Sequence, residues 1–221
     1  EYNFKEMHIT QMKNKLWCFG DSYTQRYNPN VDWCKKYIDF KGYLPKVYCD
    51  FLGEELGIES ENCGVGGYDN HSIFETLCKN IHKIKENDII IIGWSSVIRF
   101  RLAAKDGDWV KFVPGTVTDF HISHHTDLSR STIEEIFVNR DNLLYYNEVN
   151  TWIHFINHTM KNNKIIHWTP FDDNVNLNVN KLLKLETIKM ETKVVEDNHY
   201  GENAHKKLSS IFSEKLKNKL I

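Results

Sequence analysis

The sequence predicts an α/β domain, a three-layer α/β/α sandwich around a central, mainly parallel five-stranded sheet. Three observations predict it. Short β-type runs alternate along the chain with longer segments of helical periodicity. The strongest run, Ile89 to Ile92 in "NDIIIIGWSS", is an unbroken series of β-branched residues, as in a strand buried on both faces by covering helices. The segments that carry chemistry follow the ends of strands, where open parallel sheets bind their ligands.

The elements follow in order. "KLWCFG" is an apolar run that stops at Gly20-Asp21-Ser22. In "YLPKVYCDFLGEELG", Leu44, Val47, Tyr48, Phe51, Leu52 and Leu56 recur at helical spacing before Gly57, which predicts a helix over about 43–56. "IESENCGVGG" reads as a short strand entering a glycine-rich turn, and "NHSIFETLCKNIHKI" as a second amphipathic helix. The isoleucine run, bounded by Asp88 and Gly93, is the third strand. Residues 100–131, with Gly107, Pro114, Gly115 and three histidines, read as an irregular insertion over the site, and loops of that length in compact domains are usually functional. A helix over about 132–161, broken at 139–141, leads into the strand "KIIHWTP". A weak strand near 186–190 and a helix over about 202–219 complete the alternation.

Composition bounds the function. A chain of 221 residues without linker, repeat or low-complexity tract reads as one domain over 1–221. Lys plus Arg number 28 against 30 for Asp plus Glu, a net charge of −2 with no basic face, so no nucleic-acid partner is expected. No apolar stretch approaches the roughly 20 residues of a membrane span, and "EYNFKEMHIT" lacks the layout of a signal peptide, which makes a cytoplasmic location the expectation. Met12 opens "MKNKLWCFGDS", so residues 1–11 read as a leader or an upstream extension. Five cysteines, none spaced C-x-x-C, argue against a disulfide framework and a zinc knuckle. The richness in Lys, Asn and Ile is that of a low-GC microbe or its virus.

Four suggestive segments gather at strand ends: Gly20-Asp21-Ser22, Asn62 to Gly67, Gly93 to Ser96, and Glu196 to His199. In "FGDSYT", in Asn62-Cys63-Gly64-Val65-Gly66-Gly67, and in "EDNHYGENAHKKL", taken in that order, the sequence resembles the SGNH, or GDSL-type, serine hydrolases. The resemblance implies a flavodoxin-like sandwich, a serine esterase without cofactor, Ser22 as nucleophile and His199 as base. It departs from the family at two places. The third block, usually G-x-N-D, reads Gly93-Trp94-Ser95-Ser96, with Ser95 where the family's oxyanion-binding Asn stands. The family's carboxylate most often lies three residues before the His, which is Glu196, whereas Asp197 lies at minus two; Asp197 is favoured and Glu196 stays as the alternative.

The chemistry needs these residue types. A serine hydroxyl becomes nucleophilic when a base within hydrogen-bond reach takes its proton, and the base works when a third group holds its other ring nitrogen. The tetrahedral oxyanion needs donors already in place, assigned to the Ser22 and Gly67 N–H groups with Ser95 as a third. Asp21, Trp94 and Arg99 are candidate substrate contacts, Arg101 could share the anion-binding role of Arg99, and Trp109 and Phe112 could extend an aromatic wall. Each has an ordinary alternative: a helix cap for Ser22 or Asp21, a helix-start histidine for His199, a tight turn for the glycines, core or ion pair for the rest. His121, His124 and His125 have metal-like density and His154 and His158 share a helix face, but no carboxylate or cysteine joins them at a metal-ligand spacing, so no metal is expected. Cys18 and Cys63 read as small buried hydrophobes.

The expected substrate is a small-molecule or glycan ester with a small acyl group, acetyl on a carbohydrate, in a shallow open site. A thioesterase, lysophospholipase or acyltransferase would need the 100–131 insertion to build an apolar or dry trough. From another class, the Ser95 departure fits a binding or structural module on the same scaffold.

Overall fold

The computed structural model describes residues 14–103, 109–112, 129–139, 141–181, 185–193 and 195–218. In chain order the elements are β1 (Leu16–Gly20), α1 (Asp32–Lys41), α2 (Tyr48–Leu56), β2 (Ser60–Gly64), α3 (Asn70–Asn80), β3 (Ile89–Gly93), β4 (Phe100–Ala103), β5 (Trp109–Phe112), α4 (Arg130–Val138), α5 (Asn142–Thr159), β6 (Lys164–Thr169), β7 (Asn180–Lys181), α6 (Ile188–Thr192) and α7 (Glu202–Asn218). Five strands form one parallel sheet in the order β2-β1-β3-β6-β7.

Strand periodicity builds two cores. Leu16 and Cys18 of β1, Ile89 and Ile91 of β3, and Ile166 and Trp168 of β6 face Tyr48, Leu52, Leu208 and Phe212 of α2 and α7. Their neighbours in sequence, Trp17, Phe19, Ile90, Ile92 and Ile165, face Ile73 and Leu77 of α3 and Val149, Ile153 and Ile156 of α5. Alternate side chains point to opposite faces, so every residue of β1 and β3 is buried. The predicted α/β/α sandwich is the fold observed. β1 and β3 lie side by side at the point where the strand order reverses, and the crevice outside their carboxyl ends is where such sheets bind ligands.

Several boundaries differ from the sequence expectations. The helix predicted over about 43–56 begins at Tyr48, because the backbone turns at Val47, whose N–H donates to Asp50 Oδ2 at 3.2 Å. α1 was not anticipated; its buried stripe is only Cys34 and Tyr37. The predicted strand near 186–190 is instead one bridge, Thr187 with Tyr200, followed by α6, because the Thr187 side chain accepts from Met190 N–H and caps a helix. Asn180–Lys181 is the fifth strand in its place, paired with the end of β6. The break at 139–141 is present, with Asp141 capping α5 through Leu143 N–H at 2.8 Å. Part of the 100–131 insertion is an antiparallel pair of strands, β4 and β5, with the Phe100 and Phe112 rings stacked 5.0 Å apart. The extension at 1–11 and His121, His124 and His125 lie outside the described residues. Among the described residues no helix is long and apolar enough to cross a membrane.

Candidate active site

The first three strands end in glycine because the loop after β1 folds back over their ends. Thr24 is fully buried there. A Cβ on Gly20 would lie 2.1 Å from Thr24 Oγ1, one on Gly93 3.0 Å from the same atom, and one on Gly64 2.7 Å from the Thr24 carbonyl carbon. Only strands without side chains at these positions admit the turn. Asn62 holds it from the side, donating Nδ2 to the Thr24 carbonyl at 2.7 Å, while the Thr24 hydroxyl accepts from Tyr48 at 3.2 Å. Asp21 sets its curvature. The Asp21 carbonyl accepts from Thr24 and Gln25 N–H at 2.9 and 3.0 Å, and its Oδ1 accepts from Tyr23 N–H at 3.0 Å. Ser22 therefore stands at the apex of a turn rather than at a helix cap.

The second half of the site arrives from the other end of the chain. Ile188 N–H donates to the His199 carbonyl at 2.8 Å and Lys189 N–H to the Asp197 carbonyl at 2.9 Å, so the start of α6 grips the His199 loop. His199 Nε2 lies 2.8 Å from Ser22 Oγ, and Nδ1 lies 2.8 Å from Asp197 Oδ1, which also accepts His199 N–H at 2.7 Å. The carboxylate can only accept, so it assigns the proton to Nδ1 and leaves Nε2 to accept from the serine hydroxyl. Asp197 is thus the partner the structure brings to His199. Glu196 is not: its side chain is 74% exposed and ion-paired with Lys189.

The other predicted residues divide. The backbone N–H groups of Ser22, Gly66 and Gly67 donate to no acceptor among the described residues. A Cβ on Gly66 would lie 3.9 Å from Ser22 Cβ, so the glycine-rich turn borders the serine, and Gly67 takes the left-handed conformation with φ of 76°. Ser95 is a correction. It is fully buried, and its hydroxyl donates to Asp21 Oδ2 at 3.0 Å, so its single donor is already used. Asp21 is likewise not a substrate contact: 2% exposed, it accepts from Tyr23, Ser95 and Arg99 Nη1, the last at 2.9 Å. Arg99 is spent on that pair, donates to the Tyr68 carbonyl at 3.2 Å, and lies 5.2 Å over the Phe171 ring. Trp94 is core, its Nε1 donating to His167 Nδ1 at 3.1 Å. Arg101 pairs with Glu75 at 2.9 Å, Phe112 is buried, and His154 and His158 are exposed on α5. Among the described residues no group of three or more His, Cys, Asp or Glu could hold a metal.

Aromatic rings that the sequence did not single out wall the site. Tyr23 lies 5.1 Å from the His199 ring and 5.3 Å edge-on to Phe171, and Trp33 of α1 stacks on His199. Burial, with Asp21 nearby, pushes the Tyr23 hydroxyl up to about 12, so it is neutral at ordinary pH. No spacing signal could have placed Trp33, which reaches His199 from a helix remote in sequence.

No protein-family model matches the sequence, and no curated protein does. Solved structures do match by fold. One crystal structure with 13% identity covers 94% of this chain and 98% of its own, at a TM-score of 0.53. An acetyl xylan esterase, Est2A, from the rumen bacterium Butyrivibrio proteoclasticus is more distant, with 13% identity, 94% of this chain, 64% of its own and a TM-score of 0.49. The psychrotrophic esterase EstA from Pseudoalteromonas sp. has 11% identity, 94% and 99% coverage and a TM-score of 0.46. The chain shares the α/β/α fold of the first of these structures, over nearly the full length of both chains.

Proposed function

We propose that the protein is a serine esterase that transfers the acyl group of a carboxylic ester to Ser22 and then to water. One observation carries the reading: His199 bridges Ser22 Oγ and Asp197 Oδ1 at 2.8 Å on each side. In the first half-reaction Ser22 Oγ bonds to the ester carbonyl carbon while its proton passes to His199 Nε2. Asp197, accepting from Nδ1–H, stabilises the imidazolium. The tetrahedral oxyanion takes the unpaired N–H groups at Ser22 and in the Gly66-Gly67 turn. Collapse breaks the carbon–oxygen bond of the alcohol, which leaves with the proton from Nε2. Water then repeats the sequence, giving its proton to Nε2 and its oxygen to the acyl carbon, and the acid leaves as Ser22 recovers its proton.

For the substrate we favour a small acyl group, acetyl, on a carbohydrate. Beside the serine loop an open cavity of about 330 Å³ is lined by Gln25, Arg26, Tyr27, Asn28, Pro29, Asn62 and Gly64. Ser22 and His199 do not line it, but it borders their loop, and Gln25, Arg26, Asn28 and Asn62 offer polar groups to a hydroxylated alcohol. A second reading, a binding module, is favoured by Ser95 alone, whose hydroxyl is engaged where the family pattern has an oxyanion donor.

Fluorophosphonate labelling with peptide mass spectrometry tests the enzyme. An adduct on Ser22 that is lost in His199→Ala, with turnover of acetyl over longer aryl esters and of acetylated glycans, is the expected result. A folded protein without adduct would favour the binding module.

A further inference from the structure

We propose that Trp33 is a positioning residue for His199, its indole stacked on the imidazole to hold the ring in line between Ser22 and Asp197 in both its neutral and its charged state. The inference rests on the esterase reading. The two ring planes lie within 2° of parallel, with centroids 4.6 Å apart. Parallel stacking of this kind opposes rotation of the imidazole and presents the negative face of the indole to whatever charge the imidazole carries.

The support behind Trp33 is rigid. Its ring meets Tyr27 edge-on at 6.2 Å, and Tyr27 donates its buried hydroxyl to the carbonyl of Tyr200, next to His199, at 2.8 Å. α1 is fastened to the helices at both ends of that loop, α6 and α7. Tyr37 accepts Glu202 N–H at 2.7 Å, and Lys41 pairs with Glu191 at 3.1 Å and Glu202 at 3.0 Å, all three side chains at most 15% exposed. The helix that carries Trp33 and the loop that carries His199 are thus tied together on both sides of the stack.

The stack matters at the step where charge appears. When Nε2 takes the Ser22 proton the ring becomes a cation, and a cation over an indole face is attracted to it. Asp197 from its own loop, Tyr23 from the turn after β1 and Trp33 from α1 contact His199, and His205 of α7 lies near enough for the His199 charge to act on it. Burial first, and the His199 charge second, lower His205 to about 3, so His205 is neutral and does not compete for the carboxylate. Trp33, parallel to the imidazole where Tyr23 is tilted, thus adds attraction for the imidazolium beyond Asp197.

Two measurements on Trp33→Leu and Trp33→Phe test this. With a short-chain aryl ester, Trp33→Leu is expected to lower kcat by about 2- to 30-fold with little change in KM and to move the acidic limb of the pH profile to lower pH, while Trp33→Phe restores most of both. Independently of turnover, a protonated imidazole quenches a stacked indole. Emission of the wild-type protein should fall as pH is lowered, and that part of the response should vanish in Trp33→Phe and in His199→Gln; His71, 4.6 Å from Trp152, contributes a response common to all three. An emission titration unchanged by Trp33→Phe, or a folded Trp33→Leu with wild-type kcat and pH profile, overturns the proposal. Quenching that persists in a protein without turnover counts for the stack and against the esterase.

Discussion

Ser95 donates its hydroxyl to Asp21 Oδ2 across 3.0 Å, tying the end of β3 to the residue before Ser22. The bond completes a buried carboxylate that already accepts from Tyr23 N–H and Arg99. Ser95→Ala should therefore act on the fold, lowering stability by about 1–3 kcal/mol as a buried acceptor loses its donor. Its kcat should fall by less than about tenfold, whereas an oxyanion donor is worth about 10²–10³. Denaturant midpoints beside ester turnover distinguish the two, and a loss in the larger range would put the hydroxyl on the substrate.

The two neighbouring acids should part company on mutation. Asp197→Asn leaves Nδ1 without its carboxylate and is expected to lower kcat on the order of 10⁴-fold, the scale at which a triad carboxylate acts. Glu196→Gln removes an exposed ion pair with Lys189 and should leave kcat within about twofold. Steady-state kinetics of the two variants decide it, and equal losses would contradict the assignment.

His205 should make stability depend on pH. Its folded value is lowered to about 3, so between about 6.5 and 3 the unfolded chain binds a proton that the folded one does not. Stability from this residue is full above about 6.5 and is lost as pH falls, with a slope of up to about 1.4 kcal/mol per pH unit. Chemical denaturation of the wild-type protein and of His205→Gln at pH 7 and 5 should show the wild type losing more.

Two glycines near the serine should respond oppositely to alanine. At Gly64 a methyl would meet backbone, Gln25 N at 2.6 Å, so Gly64→Ala should destabilise the protein markedly. At Gly66 it would meet the end of the Gln25 side chain, Oε1 at 2.7 Å, which can swing away. Gly66→Ala should keep most of the stability and instead crowd the space beside Ser22, raising KM. Melting temperatures and KM values measured in parallel check the contrast.

The layers were legible because strand parity and helix periodicity are local. So were the glycine-terminated strands and the serine and histidine segments, each recognisable in a few consecutive residues. What local pattern could not carry was lateral contact. α1 buries too narrow a stripe to stand out, and its importance lies in Trp33, Tyr37 and Lys41 reaching partners near the other end of the chain. Spacing alone could not choose between Glu196 and Asp197, because the choice is made by the turn that folds the His199 N–H and ring onto one oxygen of Asp197. Trp94, Arg99 and Ser95 stand next to the right segment but point into the protein, a direction that one-dimensional proximity does not encode.

Ser22 and His199 are 177 positions apart in sequence. The pair exists only after the central sheet has assembled and the last helix has docked, so bringing the two together is among the most non-local events of folding. A nascent or truncated chain ending before the histidine carries its serine unarmed. Reactivity at Ser22 would then be a reporter of completed assembly, appearing in a refolding experiment no sooner than the closure of the whole molecule.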